Sequence, residues 1–201
     1  MALKKIDVVT VHGGHNPSGK IACGATGILD ESKEDRIITK KVIELLKKHK
    51  IKAYDTTCND GRNQTDVLQK ICAKCNSHKD VDLNISIHFN SGAGDKKGNG
   101  KTTGSEVYLT AKANDKYDVA KRICNQLENI GFTNRGVKVR DNLYFLNRTN
   151  EQAILIEVCF VDDKDDAKLY NAHKDDVAHV IVQAILNHNK AVAEKKNTKK
   201  K

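Results

Sequence analysis

Short apolar runs alternate with stretches of helical periodicity along almost the whole of this 201-residue chain. Strand-like length and composition occur at residues 6–11, 51–55, 81–89, 104–109 and 152–160. Apolar residues recur at helical spacing over about 37–49, 67–75, 119–130 and 177–185. Because strands that alternate with helices build layered domains, we predict a single α/β domain. Its sheet should be twisted and mixed or mostly parallel, with helices on both faces.

Four local features complete this prediction. Ser32 has an acidic residue three positions later, which is typical of the residue that caps the start of a helix. Residues 91–103 form a loop rich in Gly, Lys and Asn without an apolar anchor, and we expect it to be mobile. Short extended segments are expected at 137–139 and at 143–146.

The C-terminal segment is rich in lysine. Residues 190–201 contain six lysines and one glutamate, which supply more than half of the formal net charge of +9. We therefore predict a domain of residues 1–189 followed by a Lys-rich tail or linker at 190–201. Positive charge attracts anionic polymers, but the chain lacks the interleaved aromatic and basic residues of single-strand nucleic-acid binders. We predict no nucleic-acid partner.

The sequence also constrains the compartment. No apolar run approaches the ~20 residues of a membrane-spanning helix, so we predict no membrane span. Residues 1–6 lead straight into a strand, which predicts the absence of a signal peptide. Six cysteines in such a chain favour free thiols. Cys72 and Cys75 have the spacing of half a zinc site, but no second pair completes it, so a structural metal there is the less favoured alternative.

Polar residues interrupt or follow three of the apolar runs. His15 follows the first strand through two glycines, and His88 lies at the end of the third strand. Ligands of open α/β sheets bind beyond the carboxyl ends of strands, and histidine is a common zinc ligand. The two histidines therefore indicate a metal site if their strands are neighbours. His12 is an alternative ligand within the first run.

Two carboxylates complete the candidate site. Glu34 lies at the start of the first helix and is our candidate for a third metal ligand, with Glu31 and Asp35 as alternatives. Acidic residues in a first turn also serve as caps or dipole partners. Glu157 interrupts the apolar run 153–160. A buried carboxylate is costly unless it is paired, so Glu157 is either one half of a buried salt bridge or a general base with a raised pKa.

The pieces occur in an order that resembles a known family. They are Gly14-His15, Glu34, Ser86–Asn90, Gly104–Tyr108, Arg135–Lys138 and Ile154–Glu157. The chain resembles the zinc-dependent N-acetylmuramoyl-L-alanine amidases of the type 3 family from Val8 to about Ile185, especially clostridial and phage lysins. The resemblance implies that His15, Glu34 and His88 bind Zn²⁺ and that Glu157 is the catalytic acid/base. Asn90 is a candidate for substrate binding.

The resemblance also implies a reaction. It predicts hydrolysis of the amide bond between N-acetylmuramic acid and L-alanine in bacterial peptidoglycan, by an endolysin made in the cytoplasm that reaches the wall after phage or mother-cell lysis. Two alternatives stay open: another zinc peptidase that cuts stem peptides or crosslinks, and a non-catalytic basic module that binds the wall. The oligomeric state is left open. We also expect loop 91–103, which follows His88, to border the substrate groove.

Overall fold

One six-stranded sheet organises the computed structural model, which describes residues 4–112 and 116–198. Residues 1–3 of the predicted leaderless N-terminus and 199–201 of the predicted tail lie outside the described residues. The elements in chain order are β1 (Val8–Gly13), α1 (Glu31–Lys48), β2 (Lys52–Asp55), α2 (Gln64–Asn76), β3 (Leu83–Asn90), β4 (Ser105–Leu109), α3 (Tyr117–Ile130), β5 (Asn134–Val139), α4 (Tyr144–Arg148), β6 (Ala153–Phe160), α5 (Lys164–Ala172) and α6 (Lys174–Thr198).

The sheet is mixed and mostly parallel. Its strand order is β2-β1-β3-β6-β4-β5. Strands β2, β1, β3 and β6 are paired in parallel, whereas β4 is antiparallel to β6 and parallel to β5. Parallel neighbours end at the same edge of a sheet, so β1, β3 and β6 present their carboxyl ends side by side.

Helices cover both faces of the sheet, because alternate residues of each strand point to opposite faces. Ile154 and Ile156 of β6 belong to the larger core, which includes buried residues of α1, α3, α5 and α6. Leu155 belongs to the smaller core with Ile71 of α2 and Phe145 of α4. The predicted single α/β domain with helices on both faces is confirmed. In the described part of the chain, no helix combines the length and apolar character that crossing a membrane requires.

Three element boundaries differ from the sequence prediction. Helix α1 begins at Glu31, because Asp30 rather than Ser32 is its N-cap and accepts a hydrogen bond from the Lys33 N–H. Residues 144–148 are helical rather than extended. Helix α6 continues past the predicted boundary at residue 189 as far as Thr198.

The continuation of α6 has a packing reason. His188 is fully buried and lies between Asp118 Oδ2 and the Lys4 carbonyl oxygen, each 2.9 Å from one of its ring nitrogens. Asn189 exchanges hydrogen bonds with the backbone of Ile6, and Val192 is also buried. The helix therefore docks against the start of the chain beyond residue 189. A linker role for residues 190–201 stays a prediction.

The loop after β3 is held by aspartates rather than by apolar contacts. Asp162 accepts hydrogen bonds from the N–H groups of residues 92–94, and Asp165 accepts them from residues 99 and 100. Asp163 and Asp166 do the same for Thr103 and Gly104. The loop has no apolar anchor, but the segment after β6 binds its backbone at six residues and also binds Gly104, so the mobility of the loop stays a prediction.

Candidate functional site

The carboxyl ends of β1, β3 and β6 bring the expected polar residues together. In the parallel ladders Gly13 pairs with Ile87, and His88 pairs with Glu157. The Gly14 N–H donates to the Ile87 carbonyl oxygen at 3.2 Å, which extends the first ladder as far as the turn that carries His15. All of these positions therefore lie at one edge of the sheet.

His15, Glu31 and His88 form a compact cluster at this edge. Glu31 Oε1 lies 3.1 Å from His15 Nε2 and 3.0 Å from His88 Nδ1. The two imidazole rings meet edge to face with centroids 4.8 Å apart. One ligand atom from each residue lies within 4.8 Å of the other two, and this is the only such group of His, Cys, Asp or Glu side chains among residues 4–112 and 116–198.

Two backbone N–H groups hold the Glu31 carboxylate in place. Its Oε1 accepts a hydrogen bond from the Phe89 N–H at 3.2 Å, and its Oε2 accepts one from the Ala25 N–H at 2.8 Å. The side chain is buried at the first position of α1. Burial alone raises the pKa of Glu31, but the hydrogen bonds and charges of His15 and His88 hold it well below its usual range.

The structure corrects the expectation that Glu34 joins the histidines. Glu34 Oε2 accepts a hydrogen bond from the Tyr170 hydroxyl at 2.8 Å and pairs with Lys174 Nζ at 2.7 Å. Because α1 begins at Glu31, Glu34 lies almost a full turn further along the helix and contacts α5 and α6 instead. Glu31, one of the alternatives, takes the position that we had expected for Glu34.

His12 and Asp35, the other two alternative ligands, make contacts elsewhere. The buried His12 ring meets Phe145 edge to face at 4.6 Å, and burial lowers its pKa well below the usual value. Asp35 packs so closely on Gly13 that a Cβ there would lie 2.5 Å from its carboxylate. Neither residue belongs to the His–Glu–His cluster.

Glycine is required where the first strand turns. A Cβ added to Gly14 would lie 1.8 Å from the His88 ring, and one added to Gly24 would lie 2.5 Å from Glu31 Oε2 and 2.7 Å from His15. Gly24 also has a φ of 76°, which disfavours other residues. The two glycines therefore allow the backbone to pass directly against the cluster.

Glu157 lies beside the cluster without a partner of its own. Its Oε2 is buried and makes no hydrogen bond within the described residues. Burial, followed by the charges of Glu31 and Glu106, raises its pKa well above the usual value. Of the two roles expected for this residue, a buried salt bridge has no support in the described chain. An unpaired carboxylate next to two others is costly unless a cation lies nearby.

A neighbouring carboxylate organises the wall beside Glu157. Glu106 is buried and pairs with Arg135 Nε at 2.7 Å and with Lys138 Nζ. Its Oε1 accepts hydrogen bonds from Asn90 Nδ2 at 2.9 Å and from the Tyr108 hydroxyl at 2.5 Å. Asn90 therefore has a fixed orientation at the edge of the cluster.

These residues open onto one cavity of about 380 Å³. The cavity is lined by His15, Glu31, Gln64, Leu68, His88, Phe89, Asn90, Ser91, Tyr108, Arg140, Leu143, Tyr144, Phe145, Leu155 and Glu157. Such a concave, half-apolar site with converging polar groups suits a small segment of a larger substrate. Sequence patterns did not identify Tyr108 of β4, Arg140 just after β5 or Tyr144 of α4 as lining residues, because segments distant in sequence bring them to the cavity.

The cysteines lie away from this cavity. All six are free thiols, and Cys75 contacts the hydroxyl groups of Thr10 and Thr56 in the smaller core. Burial raises the pKa of Cys72 to about 12. Neither Cys72 nor Cys75 belongs to a group of three or more candidate ligands in residues 4–112 and 116–198, so a structural metal at this pair has no support there.

Comparisons with known proteins converge on one family. A family model described as N-acetylmuramoyl-L-alanine amidase matches residues 6–187. An "uncharacterized 38.4 kDa protein" of Clostridium perfringens is 33% identical over 179 residues, which cover 88% of this chain and 50% of that protein. The endolysin of Bacillus phage SPP1 is 28% identical over 200 residues, covering 94% of this chain and 65% of the endolysin. The chain thus spans about half the length of the clostridial relative.

A solved structure shares the fold over the whole domain. The catalytic domain of the CD27L endolysin, which targets Clostridia Difficile, is 28% identical to this chain with a TM-score of 0.78. The match covers 90% of this chain and 97% of that one. The two chains therefore share the arrangement of sheet and helices over nearly the whole of the matched lengths.

Proposed function

Because the chain belongs to the N-acetylmuramoyl-L-alanine amidase family, we propose that it hydrolyses the amide bond between N-acetylmuramic acid and L-alanine in bacterial peptidoglycan. One observation carries the proposal. The carboxylate of Glu157, whose Oε2 is buried and unpaired, shares a cavity with the His15–Glu31–His88 cluster. A metal-assisted hydrolase needs this combination of a cation site and an adjacent base.

The cluster fits a zinc ion. Two imidazoles and one carboxylate are a common ligand set of catalytic zinc, which leaves a position for water or substrate. The unpaired Glu157 oxygen beside two other carboxylates indicates that a positive charge belongs at this place. When bound by His15, Glu31 and His88, zinc supplies Lewis-acid chemistry, which makes water more acidic and a carbonyl carbon more electrophilic.

Glu157 performs the proton transfers in this proposal. Its carboxylate accepts a proton from the attacking water as the new carbon–oxygen bond forms at the amide carbonyl. It then donates that proton to the amide nitrogen as the carbon–nitrogen bond breaks. The products are the free carboxyl group of the muramic acid lactyl side chain and the free amino group of L-alanine. A raised pKa, caused first by burial, suits a residue that must both accept and donate.

Asn90 is assigned to substrate binding. One N–H of its amide group donates to Glu106 Oε1, and its Oδ1 accepts a hydrogen bond from the Ser91 N–H at 2.8 Å. The side chain lines the cavity in this fixed orientation and so offers the second lone pair of Oδ1 to an N–H of the substrate. Loop 91–103 begins immediately afterwards and borders the same groove.

We further propose that the protein acts as an endolysin that is released to the wall by lysis of the producing cell. Its similarity to the SPP1 endolysin over 94% of the chain supports this place of action. The basic surface favours an anionic wall polymer as the partner.

A single substitution tests the proposed mechanism. Glu157→Gln should keep the cavity shape and the bound zinc but lose wall lysis by about 10²-fold or more, because the amide cannot accept the proton. Glu151→Gln is a matched control, since Glu151 is exposed just before β6. Zinc content and lysis of purified walls are measured together. Normal lysis by the Glu157 variant would overturn the assignment.

A further inference from the structure

Arg140 is a cation on the wall of the cavity that the proposed chemistry leaves without a role. Among the described lining residues it is the only arginine or lysine. The side chain is exposed, and its guanidinium lies over the Tyr108 ring, 5.3 Å from the centroid. The nearby cations Arg135 and Lys138, by contrast, both have an acidic partner, Glu106.

The position of Arg140 is set by the fold. Its N–H donates to the Leu109 carbonyl oxygen at 2.8 Å, which continues the β4–β5 ladder beyond Val139. The Tyr108 ring below it is held through its hydroxyl by Glu106. An arginine stacked on a fixed ring retains its in-plane N–H donors, which match a carboxylate in a two-pronged geometry. No acidic partner occupies these donors in residues 4–112 or 116–198.

We propose that Arg140 determines specificity by binding a carboxylate of the stem peptide on the leaving-group side of the cavity. This inference rests on the proposed function. In the stem peptide, the residue after L-alanine is a D-glutamate linked through its side chain, and its α-carboxyl group is either free or amidated as isoglutamine. Arg140 selects the free carboxylate, because the amide offers it no charge.

Matched substrates test the source of the carboxylate. Two muramoyl tripeptides are compared, N-acetylmuramoyl-L-Ala-γ-D-Glu-L-Lys and its isoglutamine counterpart, with release of the L-alanine amine as the readout. Both tripeptides carry the same C-terminal carboxylate, so a contact with that group affects both KM values equally. We expect the wild-type zinc enzyme to cleave the glutamate form with a KM lower by about ten-fold, the usual size of one charge-assisted contact, and with a similar kcat.

Variants of the arginine supply the second half of the test. Arg140→Gln should raise the KM for the glutamate form by about ten-fold and abolish the preference, whereas Arg140→Lys should restore part of it. Arg148→Gln is the matched control, since Arg148 is also exposed and lies over a tyrosine ring, that of Tyr144 at 5.7 Å, but does not line the cavity. It should leave both KM values unchanged.

The possible outcomes distinguish a failure of the Arg140 proposal from a failure of the proposed amidase function. Cleavage of both tripeptides with equal KM, or a preference that survives in Arg140→Gln, would overturn the role of Arg140 and leave the amidase function intact. If Arg140 bound the C-terminal carboxylate instead, Arg140→Gln would raise the KM equally for both tripeptides. That result would also overturn the assignment. Failure to release the amine from either tripeptide would overturn the proposed function itself.

Discussion

Glu106 and Glu157 lie directly opposite each other in the antiparallel β4–β6 pair, yet only Glu106 is paired with cations. Arg135 and Lys138 compensate the charge of Glu106, so the fold can place a second, partly buried carboxylate next to it. Glu157 Oε2 has no hydrogen-bond partner among the described residues, as a proposed base requires, whereas Glu106 Oε1 holds Asn90 and Tyr108. We therefore propose a structural role for Glu106 and a chemical role for Glu157.

This division predicts the effect of Glu106→Gln. The substitution removes the charge that holds Arg135 and Lys138 and weakens the contacts that orient Asn90 and Tyr108. We expect kcat/KM to fall by about ten-fold with unchanged zinc content. Glu128→Gln on the exposed side of α3 is the control. Loss of zinc from the Glu106 variant, or full activity, would show that this network does not shape the cavity.

The assignment of Glu31 rather than Glu34 as metal ligand predicts opposite outcomes for two neighbouring variants. Glu31→Gln should weaken zinc binding by about 100-fold or more, because it removes the one anionic ligand. Glu34→Gln should retain zinc and lose about 1 kcal/mol of unfolding free energy, since Tyr170 and Lys174 lose a charged partner. Zinc affinity is measured by competition with a coloured chelator. If Glu31→Gln bound zinc with wild-type affinity, the third metal ligand would have to be a residue other than Glu31.

The tight turn at Gly14 makes a third prediction. Gly14→Ala places a methyl group where the His88 ring lies, so His88 must move and zinc affinity should fall by at least about ten-fold. Gly19→Ala is the control, because a Cβ at Gly19 meets nothing within 4 Å and its φ of 79° costs only backbone strain of about 1 kcal/mol. Equal zinc affinity in the two variants would contradict the close approach of Gly14 to His88.

The aspartates after β6 predict different roles for the two halves of loop 91–103. Asp162→Ala frees residues 92–94, next to the cavity residues Asn90 and Ser91, whereas Asp165→Ala frees residues 99 and 100. We expect faster amide hydrogen exchange at the freed residues in each variant. Only Asp162→Ala should raise the KM for wall fragments. Slow exchange at residues 92–94 in Asp162→Ala would show that the aspartate does not hold the loop.

The contact between α3 and α6 predicts a pH dependence of stability. Burial raises the pKa of Asp118, but hydrogen bonds from Arg122 and His188 outweigh it and lower the pKa below its usual value. A lowered folded-state pKa means that the carboxylate stabilises the fold above its unfolded pKa of about 3.9 and stops doing so as the pH falls through its folded value. The stability lost in Asp118→Asn should therefore be largest near neutral pH and shrink below about pH 4. Urea unfolding of the wild type and of Asp118→Asn at several pH values measures the difference in unfolding free energy. A difference that does not change with pH would refute the stabilising role of the Asp118 charge.

The sequence predicted those parts of the site that depend on strand ends. His15, His88 and Glu157 each follow or interrupt an apolar run, and parallel strands necessarily bring their ends to one edge. The start of α1 was harder to predict, because Asp30 and Ser32 are both good N-caps and both Glu31 and Glu34 are acidic residues of the first turn. Contacts between distant segments, such as Asp162 with loop 91–103 or Arg140 with the cavity, leave no periodic signal in the sequence.

Analysis of the fragments released from purified peptidoglycan tests the central claim most directly. The wild-type protein is incubated with the wall with and without a chelator, and the products are identified by mass spectrometry. Cleavage by water with Glu157 as the base beside the His15–Glu31–His88 site predicts free L-alanine amino groups, no new reducing sugars, full loss with chelator and recovery with added zinc. Cuts within the stem peptide or glycan, or an undiminished reaction in chelator, would contradict it.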